Sequence, residues 1–214
     1  MHTTSTTFRL ASHRLHRVDF LPDTFREHDL LWLPHHHQFT HAGRKRKAEH
    51  LAGRIAAMYA LGEYGEKRVP GIGEQRQPLW PAGLYGSISH SETTALAVVS
   101  PRPVGVDLET LFTARLSDEL ADSIVDADEQ ALLRATSLPF PLALTVAFSA
   151  KESLFKARST LALPLPGFHS ARLMAFTTDT LALQLNPTFS PSLAGQCMTV
   201  HWTHIAQKIV TVSQ

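Results

Sequence analysis

From Arg44 to Gly65 the chain reads RKRKAEHLAGRIAAMYALGEYG, with Ala48, Leu51, Ile55, Met58 and Tyr59 recurring every three or four residues. That spacing predicts one amphipathic helix, ended by Gly62 and Gly65. Elsewhere the period is two. RLHRVDFL (14–21) predicts a strand inside an otherwise irregular or short-strand entry over residues 1–30. TALAVVS (94–100) and VGVDLE (104–109) flank Pro101-Arg102-Pro103 and read as two strands joined by a tight turn, which sets Asp107 opposite Ala97 and Glu109 opposite Ala95. Between these blocks, VPGIGEQRQPLWPAGLYG (69–86) is loop by composition. One helical region is expected over 116–135 and another from about residue 149. After LPLPG (163–167), alternation in ARLMAFTT, TLALQL and CMTVHWT predicts an antiparallel meander. The order of elements is α+β, with two similar halves expected at 1–101 and 102–214.

Composition narrows the class. The 214 residues are 43% hydrophobic, which excludes wholesale disorder. Lys+Arg 20 against Asp+Glu 19 leaves +1, without the basic excess of a protein that coats nucleic acid, so any anion binding must be local. The single cysteine, Cys197, permits no intramolecular disulfide, and its alternating neighbours suggest a buried structural thiol. No apolar run approaches the ~18 residues of a membrane span. The first 18 residues lack acids but also lack the apolar block of a secretory signal, so a soluble cytoplasmic protein is expected.

Candidate chemistry lies in two short stretches. Period two puts Gly105, Asp107 and Glu109 on one face of a strand, where two carboxylates ~7 Å apart raise each other's cost of ionisation. Either they form a solvated acidic face, or a hard cation such as Mg²⁺ joins them together with substrate phosphate oxygens. FSAKESLFKA (148–157) holds Lys151, Glu152 and Lys156 in an apolar helix. Ser149 and Glu152 match a capping box and Glu152 pairs at i+4 with Lys156, so local structure alone can account for the trio; so can an anion site. Ser89 and His90, on a loop entering a strand, can donate to phosphate oxygens. Cations crowd the start of the first helix, against its dipole. Lys47 and Arg54 share a flank there, and Arg76 sits on a proline-stiffened loop. The run His35–His37 with His41 has no nearby carboxylate or thiolate and is not read as a metal site. No P-loop, dinucleotide glycine pattern or G-x-S-x-G elbow is present.

GRKRKAEHLAGRIAA, RQPLWPAGLYGSISHS, VGVDLE and FSAKESLFKA, in that order and spacing, resemble the 4′-phosphopantetheinyl transferase superfamily. The likeness is greatest to the group serving enterobactin and other siderophore or nonribosomal peptide synthetases. These pieces cover about a quarter of the chain; Phe148 departs mildly from the tryptophan often found there. The resemblance implies a pseudo-twofold α+β fold with the active site in the cleft between halves. It implies Mg²⁺ on Asp107, Glu109 and Glu152, with Lys156 on the phosphate nearest the leaving nucleotide and Lys151 near the pyrophosphate or the carrier. Ser89 and His90 would hold the 3′-phosphate region, with Lys47, Arg54 and Arg76 gripping the nucleotide.

The implied reaction transfers the phosphopantetheine arm of coenzyme A to a serine of an apo carrier protein (a peptidyl, aryl or acyl carrier domain) and releases 3′,5′-ADP. Glu152, or a metal-bound water it orients, is the implied base. Two rivals make other predictions. Another Mg²⁺-dependent phosphoryl-transfer enzyme would turn over a nucleotide without a protein acceptor. An inactive coenzyme A-binding module would be free to lose Asp107, Glu109, Glu152 and Lys156, all of which are intact. Neither nucleic acid nor membrane is expected as a partner, and a monomer is expected.

Overall fold

The computed structural model describes residues 1–158 and 167–214, so the expected LPLPG break lies, but for Gly167, outside the described residues. The chain divides into two compact units, Met1–Pro103 and Val104–Gln214.

In the first unit, strands β1 (Thr3–Leu10) and β2 (His13–Phe20) form a hairpin, and β5 (Tyr85–Ser91) and β6 (Thr94–Ser100) form another. They join into one four-stranded antiparallel sheet of order β1-β2-β6-β5. Helix α1 (Arg44–Gly62) covers it, and the proline-rich connection contributes a two-residue ribbon, β3 (Gly71–Ile72) with β4 (Pro78–Leu79). The buried face of α1 is Ala48, Leu51, Ala52, Ala56, Ala57, Ala60 and Leu61, against Val18, Phe20, Ala95 and Ala97. The expected stripe is therefore rotated: Tyr59 is 44% exposed. Small alanines, not the large residues, face the strands, because a short Cβ lets a helix lie close to a sheet.

In the second unit, β7 (Gly105–Thr110), β8 (Ala171–Phe176), β9 (Thr180–Leu185), β10 (Cys197–Ile205) and β11 (Lys208–Ser213) form an antiparallel sheet of order β7-β11-β10-β9-β8. The expected helix over 116–135 is two helices, α2 (Ala114–Ile124) and α3 (Ala127–Arg134). They break where Asp126 and Glu129 exchange backbone N–H bonds in a capping box. Helix α4 (Phe140–Arg158) starts nine residues earlier than expected, just after Pro139, with Pro141 in the first turn, where its missing N–H costs nothing. Its apolar face, including Leu144, Ala147 and Leu154, fills the core with Leu183, Val200 and Ile209.

Two strand expectations are corrected. TALAVVS and VGVDLE do not pair: β6 has β2 on one edge and β5 on the other, while β7 pairs with β11, setting Asp107 opposite Thr211 and Glu109 opposite Ile209. A strand has only two edges, and both edges of β6 are taken. Cys197, expected to be buried, is exposed at the start of β10.

Candidate active site

Strand β7 and helix α4 meet at a glycine. A Cβ on Gly105 would stand 1.8 Å from the Ser153 carbonyl oxygen and 2.6 Å from the Ala157 nitrogen. Only a residue without a side chain lets the two backbones approach this closely. The approach brings Lys156 Nζ within 2.6 Å of Asp107 Oδ1. Ser149 Oγ donates to Asp107 Oδ2 at 2.7 Å and lies 3.0 Å from Thr211 Oγ1, whose hydroxyl donates to the Ser149 carbonyl. Asp107, 2% exposed, is thus held through both oxygens by groups from α4, with β11 supporting Ser149. Ser149 does not cap: it lies mid-helix, and its hydroxyl is spent on Asp107.

The other two carboxylates are partly buried, and among the described residues neither the Glu109 nor the Glu152 side chain makes a hydrogen bond or ion pair. Burial, then the charge of Asp107, pushes Glu109 up to about 7; Lys156 and Lys208 oppose this and Glu152 adds to it. Glu152 is raised too, by burial first and by Asp107, against Lys156. Three acidic groups that penalise one another's ionisation are a donor set that a divalent cation would relieve. Among the described residues no three or more His, Cys, Asp or Glu are gathered closely enough to hold a metal by themselves. Mg²⁺, which keeps part of its shell for substrate phosphate and water, fits these residues better than an ion needing an all-protein cage.

Lys151 is placed elsewhere. One position along a helix is a 100° turn, so Lys151 leaves the face that Glu152 and Lys156 share at i and i+4. Its ammonium is fully buried, 2.7 Å from both Glu129 Oε1 and the Ile124 carbonyl. Glu129 Oε1 also accepts the Leu173 N–H, and Oε2 accepts the Asp126 N–H. The phosphate or carrier contact expected of Lys151 does not fit: the side chain is consumed in tying α4 to α2, α3 and β8.

The cationic residues of the first unit are also more varied than the sequence suggested. Lys47 is bonded to Glu27 Oε2 at 2.8 Å. Arg76 is exposed in the turn of the β3–β4 ribbon with positive φ. Ser89 and His90 lie within strand β5, not on a loop before it, and His90 Nδ1 is 3.9 Å from Glu49 Oε2. Arg54 is 5% exposed, and its one protein hydrogen bond among the described residues goes to the Gly71 carbonyl. Its Nε is buried with no partner, and burial, then Arg46, lowers its pKa to about 10. A buried guanidinium lacking a carboxylate calls for an anion from outside the chain. Sequence reading weighed His35 only as part of a metal-like histidine run and passed over His50; their Nε2 atoms lie 2.9 Å apart beside this group. It also passed over Ser149 and Thr211 as supports of Asp107, because their roles depend on a strand more than 50 residues away.

Comparison with known proteins follows the same division. Residues 35–100 match the 4′-phosphopantetheinyl transferase N-terminal domain, and residues 103–203 match the 4′-phosphopantetheinyl transferase superfamily. The chain is 54% identical over 202 residues to enterobactin synthase component D of Salmonella typhimurium, covering 94% of this chain and 86% of that one. It is 61% identical over 157 residues to the Escherichia coli K12 protein of the same name, covering 73% of this chain and 76% of that one. The 4′-phosphopantetheinyl transferase PptT of Mycobacterium tuberculosis is 33% identical over 145 residues, covering 63% of this chain and 60% of that one.

Proposed function

The chain belongs to the 4′-phosphopantetheinyl transferase superfamily, and from that premise we propose that Asp107, Glu109, Glu152 and Lys156 carry its transfer reaction on coenzyme A. The observation that carries the assignment is the Lys156–Asp107 ion pair beside two unbonded, mutually repelling carboxylates. Asp107, Glu109 and Glu152 are the residues that would hold Mg²⁺. Bound there, the ion would supply neutralising charge at the pyrophosphate of coenzyme A.

The chain's own groups account for the rest. The serine hydroxyl of an apo carrier domain attacks the β-phosphorus of coenzyme A. A new oxygen–phosphorus bond forms as the bond from that phosphorus to the oxygen bridging the α-phosphate breaks, and 3′,5′-ADP leaves. Glu152, partly buried on the same face of α4 as Lys156, takes the serine proton directly or through a water that it orients. Lys156, an ammonium 30% exposed at its side chain, turns from Asp107 to the leaving phosphate oxygen. Arg54, with Arg46, Ser89 and His90, receives the nucleotide phosphates; the exposed Arg76 assists, as does the buried Lys47 once it leaves Glu27. The carriers are peptidyl or aryl carrier domains of siderophore or other nonribosomal peptide synthesis, in line with the enterobactin relatives. The same reading has the enzyme work as a monomer in the cytoplasm.

The test is to incubate the protein with coenzyme A, Mg²⁺ and an apo peptidyl carrier domain and to weigh the carrier. Gain of one phosphopantetheine arm, lost with EDTA and with Asp107→Ala, is expected. No gain on peptidyl, aryl or acyl carriers overturns the carrier assignment.

A further inference from the structure

His35 Nε2 and His50 Nε2 stand 2.9 Å apart within the first unit. Two imidazole nitrogens at that distance share one hydrogen, one ring donating and the other accepting. A second hydrogen between them would set two N–H groups head to head. The bonded pair can therefore carry a charge of zero or plus one, but not plus two. Its geometry is held from the sides: His35 is 6% exposed, and the Phe39 ring centroid lies 4.1 Å from that of His50.

The groups facing this pair are mostly cationic. On α1, Arg46 and Arg54 stand one turn before and one turn after His50; His90 faces it from β5, and His36 and His37 act on His35 from the preceding segment. Glu49, next to His50 in the chain, lies 3.8 Å from Lys45 and 3.9 Å from His90. Arg54 keeps its buried Nε without a partner. Burial first, then Arg54, His35, Arg46 and His90, hold His50 down to about 3, so the pair is neutral in the free protein near pH 7. A phosphate settling against Arg54 and Arg46 reverses the sign of that local field.

We infer that the His35–His50 pair is a binding element of this anion site and takes up one proton as a phosphate group of coenzyme A enters. The inference rests on the coenzyme A reading above and adds to it two residues and a proton. The proton comes from the buffer and goes to the outer ring nitrogen of the donating histidine, leaving an imidazolium–imidazole pair whose hydrogen bond survives. No other bond changes. Coenzyme A then binds more tightly as pH falls, by up to ~10-fold per pH unit for one linked proton.

Calorimetric titration of coenzyme A into the full chain, in PIPES and in Tris at about pH 7, counts the protons exchanged. The ligand's own phosphate titration is common to wild type and His50→Gln and cancels in their difference. A wild-type uptake exceeding that of His50→Gln by close to one proton is expected. Equal proton counts overturn the inference while leaving coenzyme A binding intact. A folded wild-type chain that does not bind coenzyme A at all overturns the underlying reading, and the inference with it. Should His50→Gln not fold, ¹⁵N spectra of the wild-type imidazoles decide the matter. One ring of the pair, His35 or His50, must change from a neutral to an imidazolium pattern on addition of coenzyme A near pH 7, and a pair in which both rings stay neutral overturns the proposal.

Discussion

Lys151 and Glu129 stand 2.7 Å apart, with side chains no more than 1% exposed, one residue along the helix from the candidate base Glu152. Removing one partner strands the other as a buried, uncompensated charge, which costs ~3–5 kcal/mol. Lys151→Met is therefore expected to lower the unfolding free energy by that order, read as an earlier urea transition by circular dichroism. A Lys151→Met protein of unchanged stability that fails to bind coenzyme A would return this lysine to the phosphate.

Gly105 tests whether the close approach of β7 to α4 builds the site. Any Cβ there meets Ser153 and Ala157 backbone, neither of which can rotate away. Gly105→Ala is expected to cost ~1–3 kcal/mol or more of stability and to separate Lys156 from Asp107. Transfer should fall far more than the folded fraction does, measured by carrier mass gain per folded enzyme. Wild-type activity in a folded Gly105→Ala protein would refute the geometry.

Ser149 holds Asp107 through a hydrogen bond that the sequence did not reveal. Groups that orient a metal ligand are worth ~10–100-fold in metal affinity or activity. Ser149→Ala should raise the Mg²⁺ concentration for half-maximal transfer by roughly that factor, with coenzyme A affinity at saturating Mg²⁺ nearly unchanged. An unaltered Mg²⁺ dependence would show that Asp107 needs no such support.

Glu109 is held protonated to about pH 7 by burial and by Asp107, against an ordinary value of 4.5. The unfolded chain gives up that proton at lower pH than the folded chain. Stability in EDTA is therefore lost as pH rises through the window from 4.5 to about 7, and the loss levels off above it. Glu109→Gln removes this term. The stability difference, wild type minus Glu109→Gln, should fall across the window by at most on the order of 3 kcal/mol, followed by urea titration at several pH values. A difference that is flat or rises with pH contradicts the raised proton affinity.

The sequence alone determined what local geometry determines. Strand alternation put Asp107 and Glu109 on one face, and helical spacing put Glu152 and Lys156 together one turn apart; both relations hold within a few residues. The antiparallel strands β8, β9 and β10 were legible for the same reason, as was most of α1. Where reading failed, the deciding partner lay far along the chain. Ser149 and Glu152 matched a cap, but a helix already begun at Phe140 made them interior residues and gave the hydroxyl to Asp107. VGVDLE seemed to pair with the neighbouring TALAVVS, yet β11, about 100 residues onward, took that edge. Lys151 and Lys156 are alike in sequence and opposite in fate. Only the packing of α2, α3 and β8 around one side of α4 made the first a buried strut, while the other side left the second facing Asp107. Burial is a property of the assembled core, and no local pattern carries it.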